Sequence, residues 1–218
     1  YMSASKLLLP IPDYIGVNSD ISKNMHLKNG IPSEKLVSIE ALRYLHLNHS
    51  SDCSLKGLNI DKNTVLLLGD ILKTNTLEQM KLLKESLKYV RKPIQYLLKP
   101  HPATRITAKD CPDIDFIITD KPINEIINCC QLAYASSATS SSFDAYYLGS
   151  KVVTIVNPQG LNASPLRGFK DAVFVSTPIE LANVLNNIDR IKKEPKKREN
   201  ILYIDINIPK WKKIFEIN

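Results

Sequence analysis

Short apolar runs alternate with helix-patterned segments from residue 64 to residue 188, and this alternation constrains the fold more than any other feature of the chain. Residues 64–68, 94–98, 115–118, 132–135, 151–156 and 172–175 read as strands, with 64–68 buried and 151–156 the richest in β-branched side chains. Between them lie helical patterns at 77–90, 122–130, 141–148 and 179–188. Leu77, Met80, Leu83, Leu87 and Val90 fall on one helix face. Pro122 sits in the first turn of the second helix. Ser141 and Asp144 have the spacing of a capping box at the start of the third, which stops at Gly149. Strands joined by helices of this length need right-handed crossovers and therefore run parallel. The expected fold class is α/β, a Rossmann-like parallel sheet flanked by helices.

The first fifty residues are less regular. Residues 14–17 and 36–39 read as short strands, 21–28 as a helix ending at Gly30, 40–47 as a short helix and 49–63 as a polar linker. Two short strands cannot bury themselves, so 1–50 is expected to be the end of an N-terminal domain or an interdomain segment. Residues 51–190 are expected to form the Rossmann-like domain, and 191–218 a basic tail whose helix packs back on the first segment. With Tyr1 ahead of Met2, the chain is expected to be a fragment.

In an open α/β sheet, ligands bind beyond the carboxyl ends of the strands. Two such ends carry distinctive chemistry. Lys99-Pro100-His101-Pro102 follows the strand at 94–98, and the run Ser136, Ser137, Thr139, Ser140, Ser141, Ser142 follows the strand at 132–135. Prolines on both sides hold His101 in an extended, rigid segment. A cation, an imidazole and a hydroxyl cluster opening a helix suit the phosphate of a nucleotide held without a P-loop. Lys99 fits a phosphate contact or a surface charge equally well. Gly69-Asp70 ends the strand at 64–68, where a glycine lets a ligand approach the backbone. Thr119 and Asp120 end another strand, a place for a nucleobase. The long loop 157–168 presents Asn162, Ser164 and Arg167, either for an anion or as plain surface. No G-x-G-x-x-G is present, so the usual dinucleotide site is not expected.

The remaining composition sets limits. The chain has 218 residues, 44% of them apolar and 23% charged, enough for one large α/β domain or a domain with part of another. A net charge of +7 suggests an anionic partner, with the basic excess gathered in Arg190 to Arg198 and Lys210 to Lys213. That tail, with Trp211 and Phe215, suits an anionic inner-membrane surface or packs on the first fifty residues with its lysines outward; packing is favoured. Nucleic acid is not expected as a partner, because aromatics do not interleave with the basic residues along a strand. Cys53, Cys111, Cys129 and Cys130 form no C-x-x-C pair and read as reduced, mostly buried thiols of a cytoplasmic protein. His46 and His49 lack a third ligand, so no metal is expected. No apolar run reaches the roughly eighteen residues of a membrane span, and Leu7-Leu8-Leu9 is too short for a signal peptide core.

The His-Pro pair at His101-Pro102 and the hydroxyl cluster from Ser136 to Ser142 resemble the nucleotide-binding C-terminal half of GT-B glycosyltransferases. Leu68-Gly69-Asp70, Asp144-Ala145-Tyr146-Tyr147-Leu148-Gly149 and residues 161–168 fit the same pattern. The resemblance is to bacterial surface-carbohydrate enzymes using CMP-activated sugars, such as Kdo transferases and sialyltransferases, and covers about residues 14–189. It implies that His101, Ser136, Ser137 and Thr139 bind the CMP phosphate. It also implies a cytoplasmic enzyme, peripheral at the inner membrane if at any, that moves a sugar from CMP to a hydroxyl of a surface glycan without a metal or other cofactor. Residues 32–45, with Glu40-Ala41-Leu42-Arg43, resemble the approach to the interdomain crossover of these enzymes. GT-B enzymes have two Rossmann-like domains, and the acceptor half usually supplies the catalytic carboxylate. This chain is too short for both, so no catalytic base is assigned and the missing acceptor domain is an expected partner. The Ser142-Phe143-Asp144 element also resembles CDP-glycerol or CDP-ribitol phosphotransferases of teichoic acid type. A non-catalytic nucleotide-binding module is the third reading.

Overall fold

The computed structural model describes residues 12–48, 55, 57–59, 63–191 and 201–216. The chain divides into two compact units, residues 1–48 with 199–218, and residues 49–198. The first unit begins with β1 (Ile15–Val17), α1 (Asp20–Lys28) and β2 (Leu36–Ser38), followed by a 3-10 turn over Leu42–Asn48. The two strands pair in parallel, with Ile15 opposite Leu36. Ser19 caps α1 by accepting the Ser22 N–H at 3.0 Å.

The second unit holds β3 (Asn63–Leu68), α2 (Lys73–Ser86), β4 (Ile94–Lys99), β5 (Ile117–Ile118), α3 (Ile123–Ile126), β6 (Leu132–Ala135), α4 (Ser141–Tyr147), β7 (Lys151–Ile155), β8 (Val173–Val175) and α5 (Pro178–Asn186). Its six strands form one sheet in the order β5-β4-β3-β6-β7-β8, every pair parallel. Counted from β3, this is the doubly wound order 3-2-1-4-5-6, which reverses direction between β3 and β6. Both faces of the sheet are covered. Val65, Leu67, Tyr96, Leu98, Leu132, Tyr134, Val153 and Val175 pack with Met80 and Leu83 of α2 and Leu181 and Leu185 of α5. Leu66, Leu68, Leu97, Ala133 and Ala135 are equally buried between these positions. A sheet covered on both faces has continuous apolar strands, which is why these runs read so clearly in the sequence.

Several elements differ from expectation: the short helix at 40–47 is the 3-10 turn over Leu42–Asn48, and the strand at 115–118 is reduced to Ile117–Ile118. α2 starts at Lys73, a turn before Leu77, because its polar first turn is anchored from behind: the Asp70 N–H donates to the Thr76 hydroxyl at 2.9 Å. The helix expected over 122–130 is one α-turn at Ile123–Ile126 followed by a 3-10 turn at Ile127–Cys129. α4 has no capping box: its flanking residue, Ser140, is already helical at φ −67°, ψ −22°, and its hydroxyl does not reach back to the helix N–H groups. Ser142 instead donates its hydroxyl to the Thr139 carbonyl at 2.7 Å. The expectation of four reduced thiols fails at Cys129, which is disulfide-bonded, while Cys111 and Cys130 are free and buried. Disulfide pairing depends on which backbones meet in space, and linear spacing does not carry that information.

The last helix, α6 (Pro209–Phe215), belongs to the first unit. Proline stands at its first position, and its next two N–H groups point at one buried carboxylate. Glu40, 1% exposed, accepts Lys210 N–H at 2.9 Å and Trp211 N–H at 3.1 Å, while its main-chain carbonyl accepts the Trp211 indole N–H at 2.9 Å. Trp211 stacks on Phe215 with ring centroids 5.8 Å apart. Lys212 and Lys213 are exposed.

Two predictions follow from this packing. Glu40→Ala strands both N–H groups of α6, so the urea midpoint of Trp211 fluorescence, the only tryptophan in the chain, falls by the equivalent of about 1–2 kcal/mol; an unchanged midpoint rejects the capping role. A Cβ at Gly69 lies 3.3 Å from both the His101 nitrogen and the Pro100 Cα. Gly69→Ala therefore lowers stability by about 1 kcal/mol in circular dichroism melts, whereas Gly160→Ala, with no neighbour nearer than 3.5 Å, does not.

Candidate ligand site at the carboxyl edge of the sheet

Because all six strands are parallel, the loops after β3, β4, β5, β6 and β7 emerge on one edge of the sheet. That places Gly69 and Asp70, Lys99 to Pro102, Thr119, Ser136 to Ser140, and Asn162 to Arg167 on the same side. The strand order then ranks them. β3 lies between β4 and β6, so Gly69-Asp70 stands between the His-Pro segment and the serine loop.

The contacts at this switch point are direct. The Gly69 N–H donates to the Lys99 carbonyl at 3.0 Å, and the Ser136 N–H to the Leu68 carbonyl at 3.3 Å. The Ser136 hydroxyl donates to Asp70 Oδ2 at 2.6 Å, and the Leu72 N–H to Asp70 Oδ1 at 3.0 Å. Asp70 is 2% exposed and Ser136 fully buried. Ser136 therefore faces a carboxylate, and its hydroxyl is spent on joining β3 to β6. Gly69 also differs from expectation: what approaches it closely is the chain itself at Pro100 and His101.

His101 is half-buried, and its Nδ1 accepts the Ala103 N–H at 3.1 Å. That bond leaves Nδ1 without a proton in the neutral ring, so Nε2 carries the N–H and is the donor available to a ligand. The Thr104 N–H donates to the His101 carbonyl at 2.9 Å, and the Thr104 hydroxyl to the Ile71 carbonyl at 2.5 Å. The His-Pro loop is thus tied to the loop after β3. Sequence reasoning gives no role to Thr76 or Thr104; both act through single hydroxyls on main-chain groups of the β3–α2 turn, and a lone threonine carries no such signal in a sequence.

Lys99 donates its ammonium to the Lys121 carbonyl at 2.8 Å. Burial pulls its pKa below the ordinary lysine value, with the nearby Asp120 and Asp144 carboxylates acting in the opposite direction. It braces the turn after β5 and is half-buried. Thr119 is buried, its N–H donating to Leu98 and its hydroxyl accepting from Lys121. Its strand lies two places from β3 on the side away from β6, about 15 Å from the serine loop at normal strand spacing.

In the serine cluster, Ser142 and Thr139 are buried and Ser137 is half-buried. Ser137 makes no side-chain hydrogen bond with any described residue. In the loop after β7, the Asn162 side chain accepts the Ser164 N–H and the Ser164 hydroxyl accepts the Leu166 N–H. Leu166 is fully buried, and Phe169 meets Phe143 and Tyr146 of α4 edge-on. These residues shape the loop, leaving the Arg167 guanidinium exposed next to the Asn162 carbonyl at 3.4 Å. Pro102 is exposed beside the imidazole. Among the described residues no cluster of three metal-ligating side chains occurs and no helix is long and apolar enough to cross a membrane. A cavity of about 550 Å³, lined by Leu87, Val90, Ile94, Tyr96 and Phe116, opens at the starts of β4 and β5, away from the conjunction described above.

No family model and no curated protein matches the chain. Solved structures do. A protein of Listeria monocytogenes assigned as a UDP-N-acetylglucosamine 2-epimerase is 14% identical with a TM-score of 0.59, covering 82% of this chain and 51% of its own. The MnaA–UDP complex of S. aureus is 12% identical with a TM-score of 0.58, covering 94% and 60%. The calicheamicin glycosyltransferase CalG4 is 9% identical with a TM-score of 0.52, covering 87% and 46%. The chain spans about half the length of the solved structures it matches. At these identities the likeness concerns the fold, and the fold is the Rossmann-like half of the GT-B type.

Proposed function

We propose that this chain is the donor-binding half of a glycosyltransferase that takes a CMP-activated sugar, such as CMP-Kdo or a CMP-sialic acid, and passes the sugar to a bacterial surface glycan. The observation that carries this reading is the meeting of His101, Asp70 and the serine loop around Gly69, at the point where the strand order reverses. The phosphate lies against the Nε2–H of His101 and the Ser137 hydroxyl, with Thr139 beside it. Asn162 and Ser136 shape the loops, and Arg167 reaches the anion from the rim. Thr119 and Asp120 flank the base. Donors aimed at the phosphate stabilise the charge that develops on CMP as the bond to the sugar breaks. The acceptor and its general base belong to another domain, and the reaction uses no cofactor other than the donor. The protein works in the cytoplasm, at the inner membrane where its acceptor is presented.

Calorimetry with CMP, UMP, CDP-glycerol and UDP separates the readings. A preference for CMP supports sugar transfer from CMP. Consumption of CDP-glycerol indicates phosphoryl-polyol transfer, and a preference for UDP replaces the CMP donor with the ligand of the MnaA complex.

His101→Ala is expected to weaken CMP at least several-fold while the melting curve stays in place, as one charge-assisted hydrogen bond is worth about 1.5–3 kcal/mol. Unchanged affinity rejects the role. The two neighbouring serines are expected to diverge. Ser137→Ala lowers CMP affinity with no loss of stability. Ser136→Ala lowers the melting temperature, because it leaves one oxygen of the buried Asp70 carboxylate without its donor.

A further inference from the structure

Asp70 is a buried carboxylate at the carboxyl edge of the sheet, next to the strand ends where phosphate is proposed to bind. Its two oxygens are satisfied by one main-chain N–H and one hydroxyl, both neutral, and no described cation lies within ion-pair distance of it. The nearest strand-end cation, Lys99, is committed to the Lys121 carbonyl and sits in the field of two further carboxylates, Asp120 and Asp144. Arg167 is exposed at the rim and screened by solvent. The fixed side-chain charge at this strand end is therefore negative, offset only by the N-terminal N–H groups at the start of α2, an unusual setting for an anion site.

We infer that Asp70 is a specificity-determining residue that sets how many negative charges the ligand brings to this edge of the sheet, favouring a single phosphodiester over a diphosphate. The inference rests on the nucleotide reading above and deepens it. The ligand is still attracted, through the His101 Nε2–H and neutral hydroxyls, which need one phosphate group and bring no fixed positive charge of their own. The repulsion from Asp70 grows with each added charge. At a separation of roughly 12 Å and an effective dielectric near 20, it amounts to about tenfold in affinity per charge, and to more at shorter range. A nucleoside monophosphate sugar carries one negative charge at its phosphodiester.

Asp70→Asn tests this with little change of shape. The amide oxygen still accepts the Leu72 N–H, and its NH₂ donates to the Ser136 oxygen in place of the reverse bond. Affinities of cytidine 5′-(methyl phosphate), CMP and CDP, bearing about one, two and three charges at pH 8, are measured by calorimetry without divalent cations for the wild type and the variant. In the variant, CDP is expected to gain about a hundredfold relative to the methyl ester and CMP about tenfold, at about tenfold per added charge. Ser136→Ala, which keeps the charge, leaves that ratio unchanged. A uniform shift for all three ligands overturns the inference and leaves Asp70 a purely structural group. Should Asp70→Asn not fold, the wild type alone decides: CDP binding tighter than the methyl ester overturns the charge selection, and equal or weaker binding supports it. Failure of the wild type to bind any cytidine nucleotide overturns the underlying nucleotide reading, and is distinct from the uniform shift.

Discussion

The bond from the Ser136 hydroxyl to the Asp70 carboxylate joins residues 66 positions apart in sequence, and the arrangement of the carboxyl edge depends on it. β3 and β6 are neighbours in the sheet, yet the chain leaves them in opposite directions, toward β4 and toward β7. Their loops would splay apart without a tie. Asp70 supplies one, and it also takes the Leu72 N–H, while its own N–H holds Thr76. Three points of attachment on one residue fix the exit of β3, the entrance to α2 and the first residue of the serine loop together. The close approach of Gly69 to Pro100 and His101 sets the third strand end against the same point. A Cβ at Gly69 would press on the neighbouring strand end at 3.3 Å, so the close approach that this glycine accommodates is that of the chain at Pro100 and His101.

Much of the fold was legible because burial on both faces leaves a plain mark. Val65 to Leu68 and Leu132 to Ala135 are fully buried, and each reads as an uninterrupted apolar run between turn residues. Helix ends were less legible. The first turn of α2, Lys73-Thr74-Asn75-Thr76, is polar and lacks a side-chain cap, so no pattern distinguishes it from a loop until Asp70 is seen to hold Thr76. At α4 the spacing of Ser141 and Asp144 is that of a capping box, but the backbone enters the helix one residue earlier. A serine that is already helical cannot turn its hydroxyl toward the N–H groups ahead of it. Spacing reports which residues can cap, and the dihedral angles decide which do.

The candidate site was legible as a set of strand ends and illegible in its division of labour. Type and position picked out His101, Asp70 and the hydroxyl cluster, and parallel pairing brings them together. Identical residue types then do different things. Ser136 and Ser142 are fully buried and bond within the protein, while Ser137 next to them has no partner among the described residues. Lys99 holds a carbonyl at the turn after β5, and the Asn162 side chain bonds the chain two residues on. A sequence gives the inventory of donors and acceptors; which of them are already spent is a property of packing.

Glu40 and Asp70 show the same solution in the two units. Each is a carboxylate buried to within 2% of full enclosure, and each is satisfied mainly by main-chain N–H groups or a hydroxyl from a distant segment. Lys210 lies 3.9 Å from Glu40, too far to replace those bonds, and Asp70 has no cation at all among the described residues. The ion pairs that a charge count would notice, Lys84 with Asp113 and Lys73 with Asp110, are largely at the surface, where pairs of this kind contribute little. In a buried carboxylate the cost of removing a partner is the full desolvation of the group, so such a residue holds its surroundings more firmly than a surface pair can. The Asp70 charge has no ion-pair partner among the described residues, and it lies at the edge where an anion is proposed to bind. Rigidity at the switch point and selectivity among anions therefore come from the same carboxylate, and a substitution that keeps its hydrogen bonds while removing its charge separates the two.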